Sequence, residues 1–568
     1  MKSLQDELRP LLAYLAMFSF FINLLFLIPA IFTLQVFDRV IPSNSRETLI
    51  VLLAGTAAAL LILLMLDYLR SRLQNVLGNI VDERLSPSVV TAIVAKSARI
   101  PQSVGIDGIR DVAALRTVFT ANGLIALFDA PWIVVYVAVI WLFHPLLGMT
   151  AAVSALLMLT LAWLNDRVGR QALEGLQKEG RRATQYVESS LRNAEVLQAL
   201  GMTERLLARW RALQTRVTAL QTRASRSSVA FTAATRSVRQ AIQIAILGLG
   251  AYLVLTQQAS PGIMIASTIL LGRAVQPVEQ LVSSWRTLTE GRAAYLRLQE
   301  LSKDFEQSAS RLTLPRPEGG LVADGISYRA PGTDKVVLFS VALNLAPGEA
   351  LAIIGPSAAG KSTLARMLTG VWAPTTGTVR LDSVDVADWP RADLGNWIGY
   401  VPQDVELFDG TVAENIARLG EVDSAAVVAA GKRANAHEMI LTLPQGYDTP
   451  VGEQGARLSP GQRQRIALAR ALYGDPRLVV LDEPNSNLDG AGEIALAQAL
   501  SGLRSEGVTS VVVTHRPSLI AHVDKILVLE AGRVKQYGPA AEVMKETQRQ
   551  AQAMLHEQAA EAARHSAA

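Results

Sequence analysis

The 568-residue chain contains no cysteine, which excludes disulfides, thiolate metal sites and cysteine nucleophiles. Charge is also scarce. Only 18% of residues are Asp, Glu, Lys or Arg, while 50% are hydrophobic; an average soluble domain carries about 25% charged residues. The net charge of +4 is small for this length, and Lys and Arg form no block on one face or tail, which argues against nucleic acid as a partner. A cleavable signal is not expected either. The first apolar run continues from Leu11 to about Phe37, too long for an h-region, and no small-residue cleavage site follows it.

What is present is distributed unevenly. The apolar excess lies before residue 290, and the remainder reads as soluble α/β sequence. Crossing the hydrocarbon layer takes about 20 mostly apolar residues. Leu11–Phe37, Leu49–Tyr68, Gly123–Phe143 and Leu146–Leu164 meet this plainly. Ala241–Leu255, extended back over Phe231–Gln240, and Gly262–Trp285 are weaker, the last carrying Arg273, Gln276 and Glu279. Buried soluble helices are the competing reading for this pair. An intramembrane charge usually faces a bundle interior or a watery path, so the expectation is six spans.

Basic residues orient these spans. Arg70, Arg72, Arg84, Lys96, Arg99, Arg110 and Arg116 separate the second from the third, and a richer series runs from Arg167 through Arg226. The connections around His144 and around Gln257–Ser260 have no Lys or Arg, and the first outer loop has only Arg39 and Arg46 beside Asp38 and Glu47. This positive-inside asymmetry puts both termini in the cytoplasm. Asn165–Ser228 is rich in Arg, Gln, Glu, Ala and Leu with little Gly or Pro, the composition of long helices projecting from the bilayer. The run Arg311–Gly320 breaks any helix. The expected division is a six-span region over 1–307, a linker over 308–318, a nucleotide-binding region over 319–545 and a polar tail over 546–568.

Gly355-Pro356-Ser357-Ala358-Ala359-Gly360-Lys361-Ser362 joins a buried-strand pattern, Ala350–Ile354, to a predicted helix that begins Ser362-Thr363. That strand–loop–helix context marks a phosphate loop. Its N–H groups and helix N-terminus favour phosphate; Lys361 reaches the β/γ oxygens and the Ser362 hydroxyl joins a Mg²⁺ shell. A second apolar strand, Leu478–Leu481, ends in Asp482 and Glu483. Asp482 is expected to hold Mg²⁺, directly or through water, and Glu483 to act as base for the attacking water. Alone, that strand end would read as two solvated acids.

With Leu458-Ser459-Pro460-Gly461-Gln462 following the phosphate loop and preceding the acid pair, the chain from about 320 to 545 resembles the nucleotide-binding domain of ABC transporters. In that family the signature loop sits at a helix start and closes over the γ-phosphate held by the other subunit, which assigns those contacts to Ser459 and Gly461, with Gln462 beside them. The family's commoner third residue is glycine; here it is Pro460, which tolerates a helix start. Gln403 in Tyr400–Asp404 matches the glutamine that senses Mg²⁺. Asp489 in Ser486–Asp489 matches the loop crossing the dimer interface, and His515 the histidine that contacts the γ-phosphate. Tyr328 matches the aromatic that stacks on adenine, with a core tyrosine as the competing reading. One phosphate loop and one signature per chain imply a homodimer with two equivalent composite sites. The fold class implied is a multidomain membrane protein, an all-α six-helix transmembrane exporter domain followed by an α/β P-loop ABC nucleotide-binding domain, with ATP and Mg²⁺ as cofactors.

Gln35–Val40, Phe128–Trp132, Trp141–Pro145 and Asn193–Val196 make the membrane half similar to type I secretion permease/ATPases, the branch exporting metalloproteases, lipases and similar proteins. The resemblance implies a bacterial inner-membrane protein with its ATPase in the cytoplasm. Its cargo would be unfolded polypeptides bearing a C-terminal signal. Its partners would be a periplasmic adaptor, an outer-membrane channel and the surrounding lipid. Some relatives carry an N-terminal peptidase; with only ten residues before the first span and no cysteine, none is expected here. An exporter of lipid, drug or short peptide shares the same motor and is the alternative; a membrane-spanning scaffold that does not transport is a second. Arg236, Arg239 and Arg273 are expected to line a polypeptide path, with interfacial snorkelling competing for the first two and pairing with Glu279 competing for Arg273.

Overall fold

A computed structural model describes residues 2–99, 107–191, 193–306, 314–331, 333, 335–546 and 549. Residues 308–313 of the expected linker, and the expected tail apart from 546 and 549, lie outside the described residues. The chain divides into two compact units, Met1–Val94 with Val104–Asp304, and Ala95–Ser103 with Phe305–Ala568.

The first unit is helical: α1 (Lys2–Leu25), α2 (Ile28–Gln35), α3 (Arg46–Arg99), α4 (Asp107–Thr120), α5 (Asn122–Asp129), α6 (Trp132–Phe143), α7 (Pro145–Leu191), α8 (Thr203–Leu255) and α9 (Pro261–Glu306). Leu-, Ala- and Ile-rich sequence with few glycines sustains such lengths. At 1.5 Å per residue, α3, α7, α8 and α9 are each roughly 70–80 Å long. That is more than twice the ~30 Å hydrocarbon layer, so each has room both to span and to project. Leu60, Leu61, Ile62, Leu64 and Met65 are exposed along α3, as lipid-facing side chains would be. Tyr136, Ile140, Leu147, Met158, Ile246, Leu253 and Leu270 pack inward.

Among the described residues, four helical stretches are long and apolar enough to cross a membrane: Asp6–Ser43, Arg46–Arg99, Pro145–Leu191 and Thr203–Leu255. The expected third span is broken. α5 and α6 part at Ala130–Pro131, and α5 joins α4 at a 46° bend, a pair that passes the same criterion only when taken together. Proline lacks an N–H and clashes with the preceding turn, which accounts for the interruption at Pro131. α9 carries Arg273 and Glu279 and is not among the four. Polar ties cross between helices. A π-helical turn over Val36–Val40 presents Asp38, whose carboxylate accepts from Gly262 N (2.9 Å) and Ser260 Oγ (2.5 Å) at the start of α9. Trp285 Nε1 donates to Asp166 (2.7 Å).

The second unit is α/β. β1 (Leu321–Arg329), β2 (Val336–Leu345), β4 (Thr376–Leu381) and β5 (Val384–Asp385) form an antiparallel sheet in the order β2-β1-β4-β5. β3 (Ala350–Ile354), β6 (Ile398–Val401), β7 (Leu478–Asp482), β8 (Thr509–Val513), β9 (Lys525–Glu530) and β10 (Arg533–Pro539) form the second, ordered β10-β9-β3-β8-β7-β6. All neighbours in it are parallel except β9 and β10. Parallel strands covered on both faces read as continuous apolar runs; every residue of β7 and β8 is buried. Parallel order brings the carboxyl ends of β3, β7 and β8 to one edge, where ligands bind in such sheets.

Candidate functional site

The loop leaving β3 wraps its own lysine. Lys361, buried at the start of α10 (Lys361–Leu368), donates from Nζ to the carbonyls of Gly355 and Pro356, both at 2.9 Å. Two glycines make the path possible. A Cβ on Gly355 would lie 2.1 Å from the Leu529 carbonyl oxygen, and Gly360 caps the helix at φ 101°. Ala358 is left-handed without being glycine, at φ 63°. Pro356, Ser357 and Ala358 are exposed at the lip, whereas Ala359 is buried.

Behind this loop, Ser362 Oγ donates to Asp482 Oδ1 at 3.1 Å. Asp482 is fully buried, and among the described residues its Oδ2 has no hydrogen-bond donor. Burial pushes its carboxyl above the usual carboxylate range, against the lowering by Ser362 and Arg366. Glu483, the next residue, turns into the left-handed region at φ 48° and ties its N–H to the Val513 carbonyl at 3.0 Å. This turn separates the two acids: Asp482 stays inside, and Glu483 faces Gln403 and His515. Gln403 Nε2 donates to Glu483 Oε2 at 2.9 Å, and His515 Nε2 lies 3.9 Å from Oε1.

The signature segment opens α11 (Pro460–Leu472). Ser459 Oγ accepts from Gln462 N (3.3 Å) and Gln462 Oε1 accepts from Ser459 N (2.9 Å), a reciprocal capping box with Pro460 at the first helical position. A Cβ on Gly461 would lie 3.1 Å from the Asn487 carbonyl oxygen. Asp489 caps α12 (Gly490–Ser505), accepting from Gly492 N at 2.8 Å, and pairs with Arg465 at 3.2 Å. The Gly492 amide, ahead of Arg465, holds the Asp489 carboxyl below its usual range.

The family model described as ABC transporter matches residues 338–486, and the one described as ABC transporter transmembrane region matches 12–278. The chain is 41% identical to the type I secretion system ATP-binding protein PrsD of Rhizobium meliloti, over 93% of this chain and 91% of that one. The chain belongs to the type I secretion ABC transporters. It is also 29% identical to the cyclolysin secretion/processing ATP-binding protein CyaB of Bordetella pertussis, over 93% of this chain and 75% of that protein. A bacterial Atm1-family ABC exporter solved with ATP bound shares its fold, with a TM-score of 0.80 at 23% identity over 95% of this chain and 96% of the other.

Membership makes this transporter a multi-pass inner-membrane protein and its second unit an ATP-binding domain whose hydrolysis is coupled to transport. Within one chain two clusters form: Lys361, Ser362 and Asp482 in the first, and Gln403, Glu483 and His515 in the second. Among the described residues, Ser459, Gly461 and Gln462 make no hydrogen bond to residues 355–363. Tyr328 is 7% exposed, with its ring stacked on Trp372 at 5.2 Å. Arg239, not Arg273, is the partner of Glu279, at 2.8 Å. Sequence reasoning passed over Arg366, which stacks on Trp372 at 4.8 Å and acts on Asp482; its place one helical turn after Ser362 was the available signal.

Proposed function

We propose that this transporter is an ATP-driven exporter of polypeptides in a type I secretion system, acting as a homodimer in which each phosphate loop is sealed by the other copy's Ser459 and Gly461. The observation that carries the motor is the pairing of a buried Asp482 on Ser362 with an outward Glu483 bracketed by Gln403 and His515. Lys361 would exchange its two loop carbonyls for phosphate oxygens. Glu483 would take the proton of the water attacking the γ-phosphate, with His515 orienting the phosphate and Gln403 reporting its presence. A Mg²⁺ ion suits the site: the donorless Asp482 Oδ2, the Ser362 hydroxyl and the Gln403 amide oxygen are hard oxygen donors, few enough to leave room for water and phosphate. When bound, it would neutralise charge on the β- and γ-phosphates.

The cargo reading rests on the printed functions of relatives: PrsD belongs to a type I secretion system, and the HlyB protein of Proteus vulgaris, 28% identical over 93% of this chain and 75% of that protein, translocates alpha-hemolysin. Accordingly, a membrane region over 1–307 would span six times. The ATPase, over 319–545, and both termini would lie in the cytoplasm. A periplasmic adaptor and an outer-membrane channel would complete the route for a polypeptide with a C-terminal signal.

The test is reconstitution in lipid with a Ser459→Arg variant. A composite site predicts near-complete loss of ATP turnover with ATP binding retained; wild-type turnover in that variant would overturn the sealing. Secretion of a polypeptide bearing the C-terminal signal should stop in cells carrying Glu483→Gln.

A further inference from the structure

The helices of the first unit line a partly open cavity of about 270 Å³ whose wall includes Asn23, Asp67, Arg70, Asp129, Arg273 and Gln276, with room for about nine waters. Most of its charges answer one another. Arg70 bonds Asp67 at 2.6 Å and Asp129 at 3.4 Å, and Asp129 also accepts from Asn23 Nδ2 at 2.6 Å. Arg70 Nε is buried without an acceptor among the described residues. Arg273 differs. Its guanidinium lies 4.0 Å over the Phe26 ring and donates to Gln276 Oε1 at 3.1 Å. Among the described residues no carboxylate lies within ion-pair reach of it.

Counted from the start of α9 at Pro261, Arg273 is about 18 Å along the helix, away from both headgroup layers if α9 enters from the outer face of a ~30 Å hydrocarbon layer. A cation kept at that depth without a counter-charge marks a function. Its planar fork, set over Phe26 and steadied by Gln276, matches a carboxylate. Asp67 and Asp129 both engage Arg70, so the charge that remains open to a carboxylate is the one on Arg273. We propose that the cavity is a carboxylate-binding waypoint, in which Arg273 takes an acidic side chain or the free chain end of the travelling polypeptide. This rests on the polypeptide-export reading.

The experiment uses the full chain in lipid nanodiscs and short fluorescent Gly/Ser peptides in three forms: acidic side chains with an amidated end, neutral side chains with a free end, and neither. Peptides with a carboxylate should bind wild type preferentially, and whichever of the first two binds names the source. Arg273→Gln should weaken that binding about tenfold or more, Arg273→Lys should retain part of it, and the carboxylate-free peptide should be indifferent to both. Melting temperatures check that the variants fold. Equal binding by Arg273→Gln and wild type, or no preference for carboxylate, overturns the proposal. So does loss of co-purified phosphatidylglycerol with peptide affinity unchanged, which assigns the site to lipid. ATP-dependent uptake of an unfolded polypeptide into inverted vesicles, measured on the same wild-type protein, separates the two readings: its absence strikes the export reading, while the binding assay still decides the cavity.

Discussion

Asp482 has no exposed surface, and one of its carboxylate oxygens lacks a donor. Because its folded pKa is raised, the native state holds that proton more tightly than the unfolded state does. Ionisation at neutral pH therefore costs stability, and lowering the pH through the raised value restores it. Asp482→Asn should raise the melting temperature of nucleotide-free, chelator-treated protein by a few degrees at neutral pH. The gain should shrink as pH falls into the carboxylate range, while ATP turnover is lost; calorimetry across pH checks the sign. Glu483 stands apart, partly exposed and shared between Gln403 and His515. Glu483→Gln should lower turnover roughly 10²–10⁴-fold with nucleotide affinity retained, read by single-turnover hydrolysis against equilibrium binding. The acid pair's adjacency was legible in the sequence. Its division of labour follows from a left-handed turn at Glu483 and two register-matched parallel strands, which no local pattern announces.

At the scale of elements, helix ends do much of the positioning. Ser459 and Gln462 close α11 with a reciprocal box, and Pro460 occupies a first-turn position where no intrahelical bond is lost with the missing N–H. Pro460→Gly should lower stability by about 0.4–1 kcal/mol through the unfolded chain and leave turnover unchanged, measured by melting and steady-state hydrolysis. Ser459→Ala should cost about 1 kcal/mol and reduce turnover as well. In the membrane half the equivalent device spans two helices: Asp38, presented by a π-turn, caps the start of α9. Gly262 must stay bare there, since a Cβ would sit 2.6 Å from Asp38 Oδ1. Gly262→Ala should therefore separate the two helices and lower the melting temperature in detergent more than Asp38→Asn, which keeps the acceptor. Hydropathy found the segments but not the interruption between α5 and α6, because an averaging window does not register one proline.

For the whole molecule, the capping of Ser459 and Gln462 on each other leaves the signature helix preformed within a single copy. A site sealed by a second copy then needs association rather than refolding. Glu483→Gln with Mg-ATP should migrate at about twice the 61.1 kDa chain mass in detergent, and revert when nucleotide is removed; light scattering decides it. Specific activity of the wild type should fall on dilution, as mass action requires of a site built from two chains.

Sequence alone determined the phosphate loop, the acid-ended strand, the signature and the apolar segments, because each is a run of neighbours whose backbone pattern or composition carries the physics. Tertiary structure alone decided which charges meet. Glu279 goes to Arg239 and, among the described residues, leaves Arg273 without an acid; Asp38 reaches Ser260 across 222 residues, and Tyr328 packs onto Trp372. Those choices follow from helix rotation and strand order, which set distances between residues far apart in the chain.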